Sequence, residues 1–397
     1  MDRREFMKLA GVAGAAGALA TAGRTLAQSG QKPEPAREGE VRIKDVECFP
    51  AGRLYVRITT DAGVEGWGEV NTFSSSISQA IVKTYRPLLV GVNPTRIEHI
   101  WQMLFRAHRN MRGGLAFAAA IAGIDIALWD LLGKLLKQPV STLLGGPCRR
   151  TLRSYPSPNA HKVTSHTLHE MVETPSDIDR IADDVHKTRR KLGKGGLVMV
   201  DGHGKFTAQV AIQLAKKIED AGVLFFEEVV PPENNDDLVR VKKATTVPLA
   251  AGERMATIWP FREILEARAV DVLNADIVEV GGISQMKKLA GIAELYDVPL
   301  APHSTHSAIG LAASLHVAAS VNNFLVHEAY SHIANGPSFV GELEWTKNKT
   351  AVKLPDGPGL GVAVNLDGLK SAVAKRAEKP TGLKKAYFLK DGSVADR

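Results

Sequence analysis

From about residue 150 onward this chain of 397 residues repeats one pattern: a short apolar run ending in Asp, Glu or His, then a helical stretch. The runs are LVMVD to Asp201, LFFE to Glu227, PLAAGE to Glu253, DVLNAD to Asp276, PLAPH to His303 and FLVHE to Glu328. Successive ends stand 26, 26, 23, 27 and 25 residues apart. That period is one βα unit, and many units in sequence predict a parallel barrel. Six units are visible, and Leu152 to Pro156 supplies a first strand. A doubly wound open sheet shares the periodicity and stays open on this ground alone. Gly357-Pro358-Gly359-Leu360-Gly361 marks a turn-rich exit, and the tail to Arg397 is expected to return to the first domain.

Before the repeat, the pattern is strands and then helices. Leu54 to Thr60 and Val64 to Val70 flank Asp61-Ala62-Gly63, a hairpin signature with glycine free to take positive φ. Helices are predicted over Ser76 to Val90, Pro94 to Ala107 and Leu115 to Leu136, the last with apolar residues at helical spacing. Strands followed by helices imply a separate α+β domain.

Met1 to Ala27 reads as a leader. Arg3 and Arg4 precede an Ala/Gly-rich apolar stretch from Leu9 to Gly23, and Thr25-Leu26-Ala27 places small residues where a signal peptidase reads. The stretch is too short for a stable membrane span, and the arrangement resembles the twin-arginine export pattern. Export places the mature protein in the periplasm or beyond. Gln28 to Gly39 is polar and proline-bearing, as a disordered tether would be. Apolar residues at 44% and charged residues at 23% fit a globular chain, and two cysteines with no CxxC argue against a disulfide scaffold or zinc site. The net charge of +7 is dispersed, which excludes nucleic acid as the natural partner but suits anionic metabolites.

In a βα barrel the C-terminal strand ends converge on one mouth, where active sites sit. Asp201, Glu227 and Glu253 would end three consecutive strands about 4.8 Å apart. Three such carboxylates repel one another unless a cation joins them, and an all-oxygen donor set suits Mg²⁺. The bland alternative is that some of them pair with barrel lysines. Asp276 and His303 end adjacent strands, which permits a hydrogen bond that holds the imidazole as a base. His203, two residues beyond Asp201, is expected on the same face by alternation. Glu328 ends the last strand and, if protonated or bridged by water, would hydrogen-bond a developing enolate oxygen. His306, His316 and His332 read as structural.

The constellation resembles the mandelate racemase group of the enolase superfamily, and within it the acid-sugar dehydratases of the D-galactonate dehydratase type. The marks are Asp61-Ala62-Gly63-Val64-Glu65-Gly66-Trp67-Gly68-Glu69, Ala122-Gly123-Ile124-Asp125-Ile126-Ala127-Leu128-Trp129-Asp130, Phe226-Glu227-Glu228, Gly252-Glu253-Arg254 and Gly281-Gly282-Ile283. The resemblance implies an α/β fold, a modified (β/α)7β TIM barrel under an N-terminal α+β capping domain. The expected divisions are leader 1–27, tether 28–40, cap 41–150, barrel 151–365 and a returning segment 366–397. It implies Asp201, Glu227 and Glu253 as Mg²⁺ ligands, the Asp276–His303 dyad as base, His203 as general acid and Glu328 as electrostatic residue. It further implies a homo-oligomer acting on a small-molecule sugar acid, with no membrane span in the mature chain.

Two departures stand out. Val229 replaces the proline that usually follows the paired glutamates. Only 17 residues, Ser157 to Glu173, are left for a first crossover helix and a second strand. No equivalent of the racemases' Lys-x-Lys is visible there, and the segment with His161, His166 and His169 is expected to be a loop. The leading functional expectation is dehydration of a sugar acid. Racemisation or epimerisation through the same enolate, or metal binding without turnover, are the alternatives. Arg109 and Arg112, in a Gly-rich stretch of the cap, are candidates for substrate binding or for solvated surface.

Overall fold

Glycine sets how closely the layers of the first domain approach. Three antiparallel strands, β1 (Ile43–Ala51), β2 (Arg53–Thr60) and β3 (Glu65–Val70), form a sheet in that order, with Gly63 at φ 75° in the β2–β3 turn. Against it pack α1 (Ser75–Leu89) and α3 (Leu115–Leu136), with α2 (Ile97–Ala107) packed on α3, all three helices where the hydrophobic pattern predicted. A Cβ on Gly68 would collide with the carbonyl oxygen of Gly123, and one on Gly123 would lie 2.5 Å from the Val70 side chain. These glycines let β3 lie directly on the backbone of α3. The helix α3 is long and apolar enough to cross a membrane, yet its apolar length is buried inside the protein.

This is a computed structural model, and it describes residues 34–70, 75–107, 110, 112–164, 174–334, 339–340, 343–377, 387–388 and 394–395. The expected leader lies outside these residues, as does the tether before residue 34. Over 34–40, Ala36 is buried and its N–H donates to Gly91 O at 3.0 Å, so that end lies against the cap.

The repeat folds as a barrel. After β4 (Thr151–Tyr155), five parallel strands pair in chain order: β5 (Ala160–Thr164), β6 (Leu197–Asp201), β7 (Phe225–Glu227), β8 (Leu249–Ala251) and β9 (Val272–Leu273). Parallel bridges from Leu273 to Leu300 and from Leu300 to Phe324 carry the order through a seventh strand to β10 (His327–Glu328), which pairs with β4. One buried cluster takes Tyr155 and Ala160 from the first two strands, Phe225 and Ala250 from the fourth and fifth, and Val326 from the last. An open sheet has no such shared interior, so the open-sheet alternative is excluded.

The helices α4 (Pro175–Leu192), α5 (Ala208–Ile218), α6 (Asn235–Ala244), α7 (Phe261–Glu266), α8 (Ile283–Glu294) and α9 (Ala308–Ala319) follow strands two to seven. The first unit departs from expectation. Residues 156–159 alone join β4 to β5, and 160–164, expected as loop, are a strand held by its ladder to β6. The far edge of β4 is taken by an antiparallel strand, β11 (Ala351–Lys353). The helix α10 (Leu366–Ala377) then packs against β1 of the cap.

Polar residues inside the apolar α3 dock the cap. Asp125 accepts from Ser284 N at 3.0 Å and Ser284 Oγ at 2.5 Å, at the start of α8. Asp130 accepts from Trp67 N and from Leu360 N in the exit turn, each at 2.9 Å.

Candidate active site

The β6–β7 ladder sets Asp201 directly beside Glu227, and both are wholly buried. Glu253 lies two residues past β8, its side chain 13% exposed. At their centre is a residue the sequence reading missed, Lys162 of β5. Its Nζ stands 3.1 Å from Asp201 Oδ2, 3.1 Å from Glu227 Oε2 and 3.0 Å from Glu328 Oε1. Burial opposes the ammonium charge, but the Glu227, Glu328 and Asp201 carboxylates outweigh it and hold Lys162 protonated far above the usual range. The pairing with barrel lysines, weighed above only as a bland alternative, is therefore present. It is also incomplete. Burial and then the neighbouring Asp201, Glu253 and Glu328 charges push the Glu227 carboxyl well up in spite of Lys162, and Glu227 Oε1 has no hydrogen-bond partner. The cluster is short of positive charge.

The expected dyad is formed. Asp276 and His303 sit on bridged strands, and His303 Nδ1 donates to Asp276 Oδ2 at 2.7 Å. Nε2 of His303 faces Glu253 Oε2 at 3.6 Å and Glu328 Oε2 at 3.7 Å. Burial works against a charge on this imidazole, yet Glu253, the bond to Asp276 and Glu328 hold its pKa well above the ordinary value.

His203 arrives by a different route from simple alternation. The strand ends at Asp201, whose Oδ1 accepts from His203 N at 2.8 Å, and His203 turns into the left-handed region at φ 51°. This Asx-type turn brings its Nε2 to 3.2 Å from Asp201 Oδ2. Partial burial lowers its pKa, Lys162 and Lys205 add to that, and Asp201 and Glu253 oppose it. A neutral His303 beside a charged His203 was expected, and the side chains as they stand favour the reverse. Burial dominates at His203, whereas at His303 Glu253, the bond to Asp276 and Glu328 together outweigh it.

Glu328 takes the ionised of the two forms left open. Burial would raise its pKa, but Lys162 and His303 hold it lowered. It accepts from Tyr330 O–H at 3.0 Å and from Ser304 N at 3.3 Å. It is an anion and an acceptor, and the nearby donor is Lys162.

Arg109 lies outside the described residues. Arg112 donates from Nε to Phe105 O at 3.2 Å, with its guanidinium 4.9 Å from the Phe105 ring, and lines a cavity with Trp259 and Tyr296 apart from the carboxylates. His161 is exposed, and His166 and His169 lie outside the described residues. His306, read as structural, bonds to Asp276 through Nε2 at 2.8 Å. A signal for Lys162 existed in its place two residues before Thr164, half of the Lys-x-Lys pattern, with Thr164 in register with Asp201 and Lys162 with Met199.

As the side chains lie, Lys162 joins the carboxylates, and among the described residues no three His, Cys, Asp or Glu side chains close at ligand geometry. The donor set nonetheless fits a hard dication. Asp201, Glu227 and Glu253 offer oxygen only, two of them are buried, and Glu227 Oε1 is orphaned.

Comparison with known proteins agrees with this architecture. Residues 159–368 match the family described as enolase C-terminal domain-like, and 51–145 match the N-terminal domain of mandelate racemase and muconate lactonizing enzyme. Residues 1–20 match the twin-arginine translocation signal sequence, so the chain is exported, with the periplasm as the usual destination. A D-galactonate dehydratase from Ralstonia pickettii (strain 12J) is 34% identical over 379 residues, covering 88% of this chain and 97% of that protein. A solved member of the enolase superfamily from Salmonella Typhimurium superposes with a TM-score of 0.79 at 26% identity, covering 83% of this chain and 98% of its own. The 3,6-anhydro-D-galactonate cycloisomerase from Zobellia galactanivorans gives 0.75 at 27%, covering 83% and 99%.

Proposed function

The chain belongs to the enolase superfamily, and from that membership we propose that it is a hydro-lyase dehydrating a sugar acid, an aldonate or aldarate, to a 2-keto-3-deoxy acid. One observation carries the reading. His303, held by Asp276, and His203 follow the seventh and third barrel strands, and each sets its Nε2 beside the carboxylate cluster, His203 at 3.2 Å from Asp201 and His303 at 3.6 Å from Glu253. The similarity to D-galactonate dehydratase supports the same reaction class.

Asp201, Glu227 and Glu253 would hold Mg²⁺. When bound, Mg²⁺ supplies positive charge that favours loss of the α-proton and offsets the carboxylates that otherwise keep His303 charged. His303 takes the α-proton at Nε2, because Nδ1 is committed to Asp276, which fixes the tautomer and stabilises the imidazolium. The negative charge that develops on the substrate carboxylate is met by the Lys162 ammonium, while Glu328 and Tyr330 hold that ammonium's surroundings in place. His203 would give a proton to the departing β-hydroxyl from the opposite side, which requires it to take one up in the substrate complex, since its pKa is lowered in the free site.

Epimerisation needs a second base on that opposite side. Three carboxylates keep Lys162 protonated and bar it from that role, which leaves His203 as the group that would have to serve. The test is a stereochemically complete aldonate and aldarate library with Mg²⁺, followed by ¹H NMR in D₂O. Appearance of 2-keto-3-deoxy products supports the proposal. Exchange of the α-proton without loss of water points to epimerisation, and thermal shifts without turnover point to a binding protein.

A further inference from the structure

His306 lies in no strand, follows the base by three residues, and is almost wholly buried, with its side chain 3% exposed. Its Nε2 stands 2.9 Å from Asp276 Oδ1 and 2.8 Å from Asp276 Oδ2, so one carboxylate serves two imidazoles. On the other side, His306 Nδ1 faces Glu69 Oε1 of the cap strand β3 at 3.5 Å. Glu69 is itself wholly buried. It accepts from Ser307 N at 3.0 Å, from Ser307 Oγ at 2.5 Å and from Gly310 N at 2.9 Å, and it pairs with Arg53 of β2 at 3.4 Å. Ser307 precedes α9, so a carboxylate of the cap closes the N-terminus of the helix that follows the base strand, where an anion is favoured. Arg53 also donates to Thr305 O, between the two histidines.

We propose that His306, gripped by Glu69, is a positioning residue that fixes the Asp276 carboxylate for His303 and so makes the base depend on the docked cap. The inference rests on the dehydratase reading for its activity arm only. A carboxylate can only accept, so each imidazole nitrogen facing one must carry a proton. A neutral His306 would satisfy Asp276 and turn a lone pair toward Glu69. The protonated form keeps the bond to Asp276 and sets a positive charge 3.5 Å from Glu69, although Nδ1 makes no hydrogen bond there. The other ionisable groups around it are Glu279 on the same loop as Asp276, His303 on its own segment, His327 of the last strand and Arg53 of the cap. Burial disfavours the charge on His306, but Asp276 and Glu69 overcome it, pushing its pKa up to about 9. The backbone N–H groups of Val278 and Glu279 hold Asp276 Oδ1 at 2.7 Å and 3.3 Å, which leaves rotation of the carboxylate toward His303 to be set by His306.

The test uses the full mature chain with ¹⁵N-labelled histidine. Long-range ¹H–¹⁵N spectra at pH 7.5 should show, besides the His303 imidazole, a second buried imidazole protonated on both nitrogens, which is lost in His306→Gln and made neutral in Glu69→Gln. With a turned-over sugar acid, either variant should lower kcat for α-proton exchange about 10–100-fold, as small misplacements of a reacting group do, with KM within about two-fold. The double variant should be no worse than His306→Gln alone, because both act through one carboxylate. A neutral His306 in the wild type, kcat unchanged in both folded variants, or additive losses would overturn the proposal. If His306→Gln does not fold, Glu69→Gln decides, since it leaves the barrel sequence intact. The spectra need no substrate. A wild type that dehydrates nothing but keeps the Glu69-dependent imidazolium refutes the dehydratase reading and leaves the bridge standing.

Discussion

Replacing Lys162 with Met keeps an unbranched side chain of similar length and removes the ammonium that Asp201, Glu227 and Glu328 share at 3.1, 3.1 and 3.0 Å. Three buried carboxylates then face one another without their counter-charge. Removing one partner of a buried ion pair costs about 3–5 kcal/mol, a large part of the roughly 5–15 kcal/mol that stabilises a domain. The sign of the pH dependence follows from the protons. Without Lys162 the folded-state pKa values of these carboxylates rise above their unfolded values, so the carboxyls are accommodated when protonated. Their contribution is intact below the unfolded pKa, about 4, and is lost as pH rises through the elevated folded pKa. Denaturant unfolding of wild type and Lys162→Met should therefore differ little at pH 5 and by about 3–5 kcal/mol at pH 8. Millimolar Mg²⁺ should narrow the gap at pH 8 by returning positive charge to the same carboxylates. An equal gap at both pH values, or one that widens in acid, would show that Lys162 contributes packing rather than charge and would refute the reasoning.

The remaining expectations concern metal, acid–base roles and export. EDTA should abolish turnover and Mg²⁺ restore it, while Glu227→Gln should weaken Mg²⁺ binding sharply by calorimetry, because a neutral amide removes one of the negative charges; unchanged affinity would remove Glu227 from the ligand set. His303→Asn should end both α-proton exchange and dehydration, whereas His203→Asn should slow dehydration by about 10²–10⁴-fold and keep some exchange into D₂O. Full dehydratase activity in His203→Asn would overturn its role as acid. Lysine in place of both Arg3 and Arg4 should leave unprocessed protein in the cytoplasm on fractionation.

What was legible in the sequence was whatever recurs along one strand direction. Asp201, Glu227, Asp276, His303 and Glu328 were readable because each ends an apolar run, and a parallel barrel brings such ends together whatever lies between. The cap was readable for a related reason, since Gly68, Gly123 and Asp125 mark contacts that permit one packing of β3 on α3 and of α3 on α8. Lys162 escaped because the period implied a crossover helix, and 17 residues are too few to hold one with a strand. The chain instead omits the helix, and β5 takes its register from β6.

The setting of His306 was not legible for a different reason. A histidine three residues beyond the base, beside Ser and Thr, looks like any loop histidine, and nothing along its own segment sets its charge. Its partners come from two other places, Asp276 on the neighbouring strand and Glu69 some 240 positions upstream in the cap. The same is true of Lys162, a middle residue of a five-residue strand whose meaning depends on three carboxylates from other strands. Spacing along one strand encodes which side chains reach the mouth. The charge each carries there depends on what faces it from other strands, so spacing could place His203 and His303 near the mouth without setting their charges.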